Sequence, residues 1–243
     1  VVKSGGFIVG IAAALDLPEP TISGAFRILR ESGLMTSGAR GVNAPDMTDL
    51  DAARMTIAML VNERPAYSES GVRDFGQLIC TDFRPASEDI DQVSEEIRED
   101  FDRSSREFTL ADRGLSECHT LEQAVAELIR MYGDDRQCGY WVRSQIDLGE
   151  RGTFDPNATI EVVAGSLSAR ISMQGNVYRY SDPLVDPNTW GEDESPEGIA
   201  GDMDAEDAHN LKLSRYSTAI RSVRSINTIQ LLALAKVLRE AAA

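Results

Sequence analysis

IAAALDLPEPTISGAFRILRESGLMTSGARGVNAPDMT, residues 11–48, is the stretch whose reading decides the fold. Ile11, Ala14 and Leu15 recur at helical spacing and predict a short helix with one apolar face. Leu17-Pro-Glu-Pro20 stops it, because proline lacks the amide a helix interior needs and pushes its predecessor toward extended backbone. Thr21 is the expected N-cap of a second helix, its hydroxyl accepting from an amide of the first turn. That helix puts Ile22, Ala25, Phe26 and Leu29 on one side, with Ser23, Gly24, Arg27, Arg30 and Glu31 largely on the other. Gly33 is expected to close it as a left-handed cap. Leu34–Thr36 then reads as a short strand, and residues 37–41 as a tight basic hairpin tip carrying Arg40.

The run TISGAFRILRESGLM resembles the recognition helix and following strand of MarR-type and related winged helix-turn-helix regulators. Those proteins run Thr, a branched aliphatic, Ser, several variable residues, Leu, then Gly-Leu. The matching positions are Thr21, Ile22, Ser23, Leu29, Gly33 and Leu34, and the resemblance spans residues 7–62. It implies a reader of double-stranded DNA and a role in transcription regulation. Thr21, Ser23, Gly24, Arg27 and Arg30 then face a major groove, and Arg40 reaches the adjacent backbone or minor groove. The helix N-terminus would offer amides to a phosphate. A homodimer is expected, with a protein partner or a small-molecule effector as further partners. Up to Pro45, Lys3, Arg27, Arg30 and Arg40 face Asp16, Glu19 and Glu31, a thin positive surplus for phosphate neutralisation. This keeps a second reading open: a winged-helix scaffold for protein contacts in a prokaryotic or phage complex, not binding DNA directly.

Composition bounds the rest of the chain. The 243 residues carry a net charge of −16, and beyond Pro45 the count is 20 basic against 37 acidic residues. So acidic a body repels nucleic acid, which confines any DNA contact to the N-terminal module. No run approaches the length of a membrane span, and residues 1–15 lack a secretory pattern, so no membrane partner and a cytoplasmic location are expected. The chain opens on Val1 rather than methionine, and only part of the helix expected before Ile11 is represented. Cys80, Cys118 and Cys138 are odd in number and widely spaced, which suits reduced thiols rather than a disulfide framework or zinc motif. No Gly-rich phosphate loop, nucleophile elbow or HExxH run is present. His119 beside Cys118 reads as a capping turn before the next helix. No catalytic residue, metal or cofactor is therefore expected, and the chain is not read as an enzyme.

The expected fold class is α+β. A winged helix-turn-helix over 1–62 precedes a linker at 63–74, ERPAYSESGVRD, and an α+β domain over 75–243. Thr48 should cap a helix running to about Val61, apolar enough either to pack internally or to reach a dimer or domain partner. FGQLICT from Phe75 is ambiguous between strand and helix. Ser87 begins an acidic amphipathic helix with Ile90, Val93, Ile97 and Phe101 on one face. Leu121–Tyr132 is a helix between Thr120 and Gly133. Gly139–Gly149 and Thr159–Ser181 alternate as strands, with turns at Gly165-Ser166 and Gln174–Asn176, giving an antiparallel meander of three or four strands. Tyr140, Trp141, Arg143, Arg170, Tyr178, Arg179 and Tyr180 either line a ligand face or divide into one packed and one wet side. Residues 181–209 read as a flexible acidic loop. Its Asp202, Asp204, Glu206, Asp207 and His209 lack the spacing of a calcium loop. A final helix is expected over 226–241.

Overall fold

A computed structural model describes residues 2–38, 45–62, 64–85, 109–133, 158–173, 176–184, 199–216 and 223–240. Its centre is helix α3, Asp49–Val61, in which every residue from Asp51 onward except Arg54 is buried. Thr48 caps it as expected. The Asp51 amide donates to the Thr48 hydroxyl at 3.2 Å, and the Thr48 amide donates to the Asp51 carboxylate at 2.7 Å, a reciprocal capping box. Internal packing accounts for the apolar excess of α3. It lies chiefly against helix α4, Ser68–Phe75, and helix α5, Leu121–Tyr132, and also touches strand β2, Ala158–Val163. Helix α5 carries its own capping box between Thr120 and Gln123 and stops at Gly133.

Helices α1, Ser4–Leu15, and α2, Glu19–Glu31, are joined by the turn Asp16–Pro18. Three expectations for this region are corrected. The first helix begins at Ser4, well before Ile11. Thr21 is not an N-cap: α2 starts two residues earlier, after Pro18, because Pro20 sits in the first turn where no amide is needed. Leu34–Thr36 is not a strand, since distant side chains take its backbone groups. Arg54 donates to the Leu34 carbonyl at 2.9 Å, and the Thr36 amide donates to Asp51 at 2.7 Å. Gly33 does adopt the left-handed conformation, with φ of 75°. The Leu34 amide reaches back to the Leu29 carbonyl at 2.8 Å and the Gly33 amide to Arg30, closing the helix end.

Residues 63–74, expected as a linker, contain a 3-10 turn at Pro65–Tyr67 and most of α4. Val72 and Phe75 bury one side of this short helix, and Asp74 accepts from Tyr216 Oη at 2.8 Å and from Arg215 at 3.0 Å. The ambiguous run after it resolves into strand β1, Ile79–Arg84.

Strands β2, β3 (Ser168–Met173) and β4 (Asn176–Ser181) form the expected antiparallel meander. It is widened by β1 on one edge and β5 (Val223–Asn227) on the other, in the order β1-β4-β3-β2-β5, antiparallel throughout. Alternation sorts the faces: Ala158, Ile160 and Val162 of β2 and Ala169, Ile171 and Met173 of β3 are buried. On the opposite face Glu161 stands across from Arg170, Arg170 from Arg179, and Arg179 pairs with Asp82 at 2.6 Å. This is a packed side and a wet side.

Helix α6, Ile199–Tyr216, occupies part of the expected acidic loop, and Asp182 receives its His209 Nδ1 at 3.1 Å and Lys212 Nζ at 3.0 Å. Burial pushes the Asp182 carboxyl up, but these hydrogen bonds outweigh it and hold the group below its usual range. Helix α7, Thr228–Glu240, follows β5 without a break and packs on α1. That approach is close: a Cβ on Gly10 would lie 2.5 Å from Val237 Cγ1. Elements on both sides of residue 62 share one apolar core. No helix among the described residues is long and apolar enough to cross a membrane. Residues 39–41 of the hairpin tip with Arg40, residues 87–108 of the amphipathic run, the strand expected at 139–149 with Tyr140, Trp141 and Arg143, and residues 185–198 lie outside the described residues.

Candidate functional site

Helix α2 is amphipathic, and its outer face is the candidate site. Ile22, Ala25, Phe26 and Leu29 are buried, while Ser23, Arg27, Arg30 and Glu31 are exposed. At about 100° per residue, Ser23, Arg27 and Arg30 fall within about 60° of one another. The other two candidates on the helix stand apart. Thr21 is half-buried on the flank. Gly24 is covered, because a Cβ there would meet Pro65 Cγ at 3.1 Å. Its smallness therefore serves the docking of the Pro65–Tyr67 turn, a cause that the local pattern does not disclose. Arg30 lies over the Phe26 ring at 5.8 Å, which leaves Arg27, among the described residues, as the cation of this face with no ring contact. Arg40 lies outside the described residues.

Polar groups on neighbouring helices hold this helix in place. Arg54 of α3 makes a bidentate pair with Glu122 of α5 (2.9 and 3.3 Å), the two side chains being only 20% and 11% exposed. The same guanidinium donates to the Leu34 carbonyl, while Gln77 donates to Glu122 at 3.0 Å. Arg73 donates to the Ser32 carbonyl at 3.3 Å and pairs with Glu69, placing positive charge at the C-terminal end of α2. These ties fix how far α2 stands out from the rest of the molecule.

A second cluster joins residues far apart in the chain. The Cys80 amide donates to the His119 carbonyl at 3.0 Å, and Ile79 bridges Thr120, so β1 and the segment before α5 start side by side. The Ser116 carbonyl can only accept, so His119 Nδ1 donates to it at 2.7 Å and Nε2 accepts from Tyr180 Oη at 2.8 Å. Burial lowers the His119 pKa and keeps the ring neutral. Burial likewise pushes the Cys80 thiol up to about 11 and the Tyr178 hydroxyl up to about 12. Local spacing offers His119 no partner beyond a capping turn, because Tyr180 lies sixty-one residues away. Among the described residues, no group of His, Cys, Asp and Glu could hold a metal ion. No family model, no curated protein and no solved structure matches this chain.

Proposed function

We propose that the chain is a DNA-binding transcriptional regulator that reads duplex DNA through α2. The observation that carries this reading is the bare Ser23–Arg27–Arg30 face on a helix reached through a three-residue turn. A helix so held can enter a major groove, with Ser23 and Arg27 toward base edges or phosphates. Gly24 acts here as a packing residue, and Arg40 is assigned a contact to the DNA backbone. A homodimer doubles the contact set and fits two half-sites one helical turn apart.

Fluorescence anisotropy on mixed duplex DNA at about 50 and 200 mM salt tests the reading. With about six phosphates neutralised by a dimer, affinity should fall about a thousandfold between the two conditions. Arg27→Ala should weaken binding and relax sequence preference, and Arg40→Ala should weaken it uniformly. Retention of parental affinity by both variants overturns the assignment. Glu19 and Glu31 at the two ends of α2, together with the covered Gly24, favour one alternative. In it the helix pair is a protein-interaction scaffold, marked by no duplex binding at low salt and a stable protein partner in a pull-down.

A further inference from the structure

Beyond Cys80 the antiparallel contact between β1 and the segment before α5 ends. The register of β1 slips between Cys80 and Asp82, and its backbone is next in step with β4 at Asp82–Arg179 and Phe83–Tyr178. A cavity of about 390 Å³ opens in the fork, walled by Cys80, Phe83, Thr109, Cys118, His119 and Tyr178 among others. That volume suits one or two fused rings rather than a macromolecular segment. The 109–119 wall is pinned from below: Leu110 is fully buried, its amide donates to Tyr178 Oη at 3.0 Å, and His119 is bonded to Tyr180. The site is thus preformed on rigid neighbours.

Three features define its ligand. Phe83 remains 44% exposed although its ring lies 4.8 Å from that of Tyr178, so an aromatic surface faces the opening. Tyr178 Oη accepts from Leu110 and keeps its own proton, for which the described residues offer no acceptor. Among the described residues the charged members of the wall are Asp82 and Glu117, Asp82 being paired with Arg179, so these residues offer no cation to an anion. We propose that this fork binds an uncharged planar aromatic molecule carrying a hydrogen-bond acceptor, stacked on Phe83 and accepting from Tyr178. The inference stands apart from the DNA reading.

The test uses the full chain with quinoline as probe and quinoline-4-carboxylate as its anionic counterpart. Quinoline should bind with a Kd on the order of 1 mM or tighter, as a ten-atom ligand in a preformed apolar site does. It should slow N-ethylmaleimide alkylation of Cys118, an exposed thiol on the wall, at least about threefold by peptide mass spectrometry. The carboxylate should bind at least about tenfold more weakly. Phe83→Ala, at an exposed position, should keep the parental circular dichroism spectrum and weaken quinoline at least about fivefold; Tyr178→Phe should weaken it through the lost donor and the released Leu110 amide. Unchanged Cys118 alkylation at about 10 mM quinoline overturns the proposal, as does equal binding of the carboxylate or parental affinity in Phe83→Ala.

Discussion

Helices α2 and α3 have the same length, thirteen residues, and opposite fates. The first shows half its circumference to solvent; the second is enclosed by α4, α5 and the sheet. Yet two of the polar residues that position the exposed helix belong to the enclosed one. Asp51 takes the Thr36 amide and Arg54 the Leu34 carbonyl, so the backbone leaving α2 is fastened by side chains of α3. A surface can be simple in composition because its geometry is fixed from beneath. In the same way Gly24 and Gly10 are small because Pro65 and Val237 approach them, and neither glycine marks a turn.

Breaking the ties in order of their expected effect sharpens this contrast. Glu122→Ala leaves the mostly buried Arg54 guanidinium without its carboxylate and should cost about 3 kcal/mol in denaturant unfolding. Asp51→Ala removes half of the α3 capping box and the acceptor of the Thr36 amide. It should cost about 2 kcal/mol and raise hydrogen exchange at Thr36 before the core of α3 responds. A uniform rise across α3 and Thr36 would show that the two helices open as one unit.

The His119 cluster yields a pH test. The folded pKa lies below the ordinary 6.5, so below that pH the unfolded chain binds a proton which the folded ring refuses. Stability should therefore fall as pH drops below about 6.5, and His119→Gln should flatten that part of the profile. An unaltered slope in the variant would mean that other groups carry it. The smallest effect is expected on the exposed face itself: Arg27→Ala should change stability by no more than about 0.5 kcal/mol while weakening DNA binding. A large loss of stability would make Arg27 part of the scaffold and reverse the roles assigned to the two helices.

Much of this architecture was legible in local pattern. Prolines and Gly33 punctuate α1 and α2, the Thr48 and Thr120 caps announce α3 and α5, and alternation from Thr159 to Ser181 spells the meander. What escaped depends on partners distant in sequence. The Leu34–Thr36 segment is bonded by Arg54 and Asp51 instead of a neighbouring strand. Helix α4 hides in a Ser-, Gly- and Pro-containing run because Tyr216 and Arg215 hold its Asp74. Strand β5 buries only Ile226 and owes its conformation to pairing with β2. The exposed face of α2 follows from helical periodicity alone. The cavity cluster, in contrast, gathers residues 80, 119, 178 and 180, whose proximity no spacing rule encodes.

The seating of α1 against α7 bears on the order in which the chain acquires its structure. One contact partner leaves the ribosome more than two hundred residues before the other. At about 5–20 residues per second, α1 waits on the order of tens of seconds for the surface that completes its packing. Closing so wide a loop places this contact among the late and slow steps of folding. The α1–α2 pair is therefore synthesised well before its packing is complete, so a chain cut short before Val237 would present α2 on an incompletely seated support.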